Sequence, residues 1–142
     1  MTVVKVLTYA VGLTRVQEEL LMSATGPDFI SLQVRDLERS AAFYERYLGL
    51  ARNPAGPPHA VVFDTKPIAF AVRDRLPGVD LDATKPGEGI AVWLHADDAQ
   101  QIHDALAADG ATIVTEPFDG PFGRTFTFAD PDGYQITLHT KG

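Results

Sequence analysis

Residues 29–49 read FISLQVRDLERSAAFYERYLG, and the change of rhythm inside this stretch decides the fold. Ile30, Leu32 and Val34 alternate with Phe29, Ser31 and Gln33, the period of two expected of a strand with one packed face. Asp36 stands where a helix N-cap belongs. Leu37, Ala41, Tyr44 and Leu48 then recur at helical spacing until Gly49 stops the helix. The pattern returns later in the chain. Ile90 to His95 reads as a strand, Asp97 or Asp98 as the cap, and Ala99, Ile102 and Leu106 as an apolar stripe ending at Gly110. Asp97 precedes Gly110 by the same interval that separates Asp36 from Gly49.

Strand-like runs follow each helix: Ala60–Asp64 and Ile68–Arg73 in the first half, Ala111–Thr115, Arg124–Ala129 and Tyr134–His139 in the second. Asp130-Pro131-Asp132-Gly133 is a strong turn signal, and Asp64-Thr65-Lys66-Pro67 is its weaker counterpart. The expected organisation is one domain over residues 28–142, built as two βαβββ units. Module one spans 28–73, a Pro/Gly/Asp-rich linker spans 74–89, and module two spans 90–140. The early strands align Asp36 with Asp97, whereas the last strands align Pro67 with Gly133, a longer offset. The second unit therefore carries extra residues, which fall near Glu116–Gly123 as a mouth loop or a longer surface turn. Residues 1–27 read as an extension with a strand around Val3–Val11 and a helical turn around Thr14–Met22. Met22 as a natural start is the alternative reading.

Composition narrows the function classes. The 142 residues are 45% hydrophobic and 22% charged, which suits a packed domain rather than a disordered tail. Without cysteine there is no disulfide framework, thiolate metal site or cysteine nucleophile. A net charge of -7 with no basic block works against nucleic acid and anionic membranes. No apolar run approaches bilayer length. Lys5 and the run Val6–Leu13 faintly suggest a signal peptide, but Tyr9 and Gly12 interrupt it and no A-x-A-like site follows. A cytoplasmic protein is expected.

Leu32-Gln-Val-Arg-Asp-Leu-Glu-Arg-Ser-Ala-Ala-Phe-Tyr44 with Leu48-Gly49-Leu50, and Phe126-Thr-Phe-Ala-Asp-Pro-Asp-Gly-Tyr134, resemble the vicinal oxygen chelate superfamily. That superfamily includes glyoxalase I, extradiol dioxygenases, fosfomycin-modifying enzymes and bleomycin-resistance binding proteins. The resemblance covers about residues 28–140. It implies an α+β fold in which the modules make a cup-shaped, eight-stranded mixed sheet with helices outside and a cavity inside, in a protein that is commonly a homodimer. It also implies where metal ligands would stand: Phe29 and its repeat-mate Ile90, and Thr137 and its repeat-mate Ala71. Metals want converging imidazole or carboxylate donors, and these four positions supply none.

The four histidines show no H-x-H or H-E-x-x-H spacing. Alternation puts His95 under the helix with Ala91 and Trp93, and His139 on the inward face with Gln135 and Thr137, so the two diverge. His103 lies beside Ile102, toward the wet side of its helix. His139 is a weak acid–base candidate. The same alternation lines the cup with Phe29, Ser31 and Gln33, with Ile90, Val92 and Leu94, with Ala69, Ala71 and Arg73, and with Gln135, Thr137 and His139. Phe122 and Arg124 could close over a ligand. The expected ligand-binding set is Phe29, Ser31, Gln33, Ala71, Ile90, Val92, Phe122, Arg124, Gln135 and Thr137, unless the cup is filled by its own side chains.

Three readings of function follow. One is a metal-free, cofactor-free binding protein that holds a partly aromatic metabolite or antibiotic, with no nucleic acid or membrane partner. Another is a glyoxalase-like lyase or isomerase, or a dioxygenase, with a displaced metal site, or a metal-independent catalyst using His139 and Gln33. In the third, residues 1–27 dock a partner or exchange a strand within a dimer.

Overall fold

Asp36 turns strand into helix: its carboxylate accepts the Arg39 amide hydrogen at 3.1 Å and so satisfies an orphan donor of the first turn. The computed structural model that shows this describes Thr14 and residues 23–141. The expected strand Val3–Val11 and, apart from Thr14, the turn Thr14–Met22 lie outside the described residues. Strand β1 (Phe29–Val34) leads into helix α1 (Leu37–Leu48), which Gly49 ends in the left-handed conformation at φ 65°. Strands β2 (Ala60–Phe63) and β3 (Ala69–Asp74) complete the first half, and β1 pairs with β3 in parallel. The second half runs β4 (Val92–His95), α2 (Ala99–Ala108), β5 (Thr112–Gly120), β6 (Gly123–Ala129) and β7 (Gln135–His139).

The architecture is α+β and repeats, as the sequence implies. One sheet has the order β1-β3-β2 and the other β4-β7-β6-β5; in each, the strand before the helix is an edge paired in parallel with the last strand. The eighth strand place, in the first half, is reduced to a single bridge between Arg52 and Phe63. The strands therefore form two sheets rather than one continuous sheet among the described residues. Helix-facing side chains from both halves fuse into one core: Leu32, Val34, Tyr44, Phe63, Phe70 and Val72 join Leu106, Phe126, Phe128, Ile136 and Leu138. Phe43 of α1 meets Phe128 of β6 at a ring separation of 5.9 Å.

Two expectations need correction. Of the two candidate caps Asp98 is the N-cap of α2, and it is the repeat alignment of Asp36 with Asp97 that is corrected: Asp36 aligns with Asp98, so the early parts of the repeat lie one position further apart. A strand alternates with period two, and a slip of one residue exchanges its faces. Val92 and Leu94 lie opposite Ile136 and Leu138 and belong to the core side. Trp93 and His95, opposite Thr137 and His139, take the other face. The second correction concerns Glu116–Gly123. Most of that stretch is neither mouth loop nor turn but the continuation of β5, an edge strand with register irregularities between Ile113 and Phe118 where Pro117 is tolerated.

The halves are also tied by polar groups. Arg35 donates from its backbone N and Nη1 to Asp132 Oδ1, at 2.9 and 3.0 Å, and from Nε to Asp82 at 2.9 Å. Its Nη2 donates to the Leu81 carbonyl at 2.9 Å, so the 74–89 segment is anchored and Leu81 is buried. Nearby, the buried Tyr44 hydroxyl donates to Asp130 Oδ2 at 2.7 Å, and Tyr134 donates to the Gln33 carbonyl at 2.7 Å. Burial pushes the Asp130 carboxyl above the usual carboxylate range, against hydrogen bonds from Tyr44 and the amides of Tyr134 and Asp132.

Two outcomes are expected. Tyr44→Phe removes a buried donor from Asp130 and lowers the unfolding free energy in urea by about 1–3 kcal/mol; a loss below about 0.5 kcal/mol would show that the bond contributes nothing net. The raised carboxyl of Asp130 binds its proton more tightly in the folded chain than in the unfolded one. Its contribution is therefore full below the ordinary value near about pH 4 and is lost as pH rises through the raised value. Asp130→Asn flattens that fall, as urea midpoints measured across the acid range will show.

Candidate functional site

β1 and β4 are edge strands with no backbone ladder between them, and a cavity of about 930 Å³ is lined from both. The first half contributes Pro27, Ile30, Leu48, Leu50 and the stretch Thr65–Phe70. The second half contributes Ala91–Asp98, Gln101, Ile102, Leu138 and His139. This is the character of a small-molecule pocket: concave, mostly apolar, with a few polar groups.

The one-residue shift in phase builds its most distinctive wall. Trp93 lies beside His139 at a ring separation of 5.8 Å, and His95 stands edge-on to His139 at 5.9 Å. Phe122, in the β5–β6 turn and outside the cavity lining, meets Trp93 at 5.4 Å and His139 at 6.2 Å. Trp93 and Phe122 remain 47% and 48% exposed, although aromatic side chains normally bury such area. The expectation that His95 and His139 diverge is thus corrected. They are register partners on one face, because β4 and β7 pair in parallel with His95 opposite His139. The other two histidines are engaged elsewhere. His59 contacts Asp74 at 3.1 Å, and His103 sits between Asp104 and Glu116 at 2.9 and 3.0 Å.

The expected ligand-binding residues are not gathered at this cavity. Val92 lines it, from the core side of β4, as do Ala69, Leu94 and the acid–base candidate His139. Phe29, Ser31 and Gln33 share the other face of β1, and Gln33 Oε1 accepts the Leu76 amide hydrogen at 2.9 Å. Ala71 is fully buried opposite Ser31, with Arg73 opposite Gln33. Ile90 precedes β4 and is 73% exposed. Gln135 is exposed at the start of β7, and the Thr137 hydroxyl shares a 2.7 Å hydrogen bond with Thr127. Arg124 is directed away from any closing role: Nε donates to Gln100 and Nη1 pairs with Asp119. Trp93 and His95 were missed by the sequence reading. The signal for them was present in the two helical stripes, where Leu37 with Ala99 and Tyr44 with Leu106 share the spacing of Asp36 with Asp98.

The positions implied for metal ligands do not fit a metal. With the corrected offset the repeat-mate of Phe29 is Ala91, which has no donor either. Thr137 offers one neutral hydroxyl, already bonded to Thr127. Among the described residues no three His, Cys, Asp or Glu side chains are grouped to hold an ion.

Residues 26–138 match the family model of the Glyoxalase/Bleomycin resistance protein/Dioxygenase superfamily. The chain belongs to this superfamily. Solved structures agree across nearly the whole of their own length. An antibiotic binding protein from Streptomyces sp. CB03234, TnmS3, is 25% identical and superposes with a TM-score of 0.64 over 85% of this chain and 99% of that one. A superfamily member from Sphaerobacter thermophilus DSM 20745 is 28% identical, covering 84% of this chain and 98% of that one with a TM-score of 0.59. A family enzyme from Burkholderia phytofirmans PsJN shares the fold alone, at 16% identity, a TM-score of 0.66, and coverage of 82% and 100%. No curated protein matches the chain.

The donor-poor site makes a direct prediction for the superfamily's metal chemistry. After equilibrium dialysis against Zn, Ni, Mn or Fe(II), the untagged protein should retain below roughly a tenth of an equivalent of each. Stoichiometric retention of any one of them would overturn this reading of the four positions.

Proposed function

We propose that this superfamily member is a metal-free small-molecule-binding protein that holds a partly aromatic metabolite or antibiotic against Trp93. The observation that carries the reading is the half-exposed Trp93, with the rings of Phe122 and His139 against it, on a cavity whose other lining is largely aliphatic. The exposed indole offers a stacking face, and Pro27, Pro67, Ile68 and Ala69 of the first half offer apolar contact for the rest of the ligand. The antibiotic-binding description of the Streptomyces structure supports the same reading. We take the working form to be a cytoplasmic homodimer. Phe29 and Phe118, away from the proposed stacking face, are each left about half exposed, and a second copy is our candidate for covering them.

The chain has one tryptophan, so emission excited selectively from tryptophan reports on this wall and nowhere else. Fused-ring probes such as 2-ethylnaphthalene should quench or shift Trp93 emission saturably. Calorimetry on Trp93→Leu should show binding weakened at least about tenfold, or about 1.4 kcal/mol. Tight binding that leaves Trp93 emission unchanged would move the ligand away from this wall and refute the proposal.

A further inference from the structure

We infer that His139 is a fixed hydrogen-bond donor that selects, among planar aromatic ligands, those carrying an uncharged carbonyl oxygen. The inference rests on the aromatic-ligand reading above and adds to it the polar chemistry of the ligand. Its starting point is an orphan: His139 Nδ1 is buried and has no hydrogen-bond partner, while no such burden falls on Nε2. A neutral imidazole carries one N–H and one bare nitrogen. An N–H buried with nothing to receive it is rarer and costlier than an acceptor left unused. The proton therefore belongs on Nε2, and Nδ1 keeps its lone pair.

The surroundings say what receives that hydrogen bond. His139 lines the cavity, and the rings of Trp93, His95 and Phe122 stand 5.8, 5.9 and 6.2 Å from it. None of these neighbours takes its Nε2 hydrogen, and the Thr137 hydroxyl on the same strand is committed to Thr127. Water can take it in the open cavity, and a ligand lying along Trp93 replaces that water with an acceptor of its own. Its charge is limited as well. Asp97 and Asp98 border the same cavity, with Asp97 4.0 Å from His95 Nδ1, and the lining's cation, Lys66, comes from the other half of the chain. On a protein of net charge -7, a full negative charge beside two carboxylates is disfavoured. A ketone, quinone or amide oxygen satisfies His139 without that cost.

The test compares 2-acetylnaphthalene, 2-ethylnaphthalene and 2-naphthoate, which share a ring and differ at one substituent. Calorimetry and Trp93 fluorescence on the full chain should give the ketone a preference of roughly fivefold over the hydrocarbon, with the carboxylate weaker than the ketone. In His139→Phe, which keeps a ring but removes the donor, the ratio of ketone to hydrocarbon affinity should fall to within about twofold, whatever the change in absolute affinity. Equal binding of ketone and hydrocarbon by the unaltered protein, with Trp93 responding to both, overturns the donor inference and leaves the aromatic-ligand reading standing. No binding of any probe counts against that reading instead. Nitrogen-15 spectra of the His139 ring decide the donor independently of probes and variants: an Nε2–H tautomer supports the inference, and an Nδ1–H tautomer overturns it.

Discussion

Arg35 and the Asp130–Gly133 turn hold the two halves of this chain in register. Arg35 ends the first strand unit, and its guanidinium and backbone amide both close on Asp132, 97 residues away. The same side chain gathers Leu81 and Asp82, so the long segment between the halves is pulled onto the joint. Tyr44 and Asp130 extend the clasp into the core. A buried carboxylate is costly unless its lone pairs are used, and Asp130 uses them on a phenol and two backbone amides. This joint adds directional polar contacts to the core that Phe43, Tyr44, Phe126 and Phe128 share between the two halves.

The clasp also explains where the cavity lies. The C-terminal end of β1 is bound through Arg35 and through Tyr134 on the Gln33 carbonyl. Its N-terminal side, at Pro27 and Ile30, borders the cavity. One end of a single strand is thus committed to cohesion, and the other to a space that apolar side chains border but do not fill. The stabilising and binding parts of the molecule occupy different ends of the same element.

Local chemistry made most of this legible from the sequence. Caps and stripes belong to neighbouring residues, so Asp36, Gly49, the two helices and the Asp-Pro-Asp-Gly turn could all be read directly. The wall of the cavity was harder, and for a definite physical reason. Asp97 and Asp98 are equally able to cap a helix. The run Ile-Ala-Val-Trp-Leu-His before them is apolar or amphipathic at nearly every position, so alternation does not fix its phase. One residue of ambiguity exchanged Val92 with Trp93 and separated two histidines that in fact meet. Arg35 and Asp132 were illegible for another reason: no local pattern announces a partner 97 positions away.

The gap between β1 and β4 has a mechanical consequence. Within each sheet the spacing of neighbouring strands is dictated by backbone hydrogen bonds, and stretching it breaks a ladder. Across the gap no such ladder exists, so the distance between the walls is set by side chains alone. A guest of different thickness would then call on the rotamers of the partly buried Ile30, Leu48 and Ile102 rather than on any strand pairing. The fold behaves here like a vice with a fixed hinge and soft jaws, in which tolerance for varied shapes comes from what the backbone leaves unconnected.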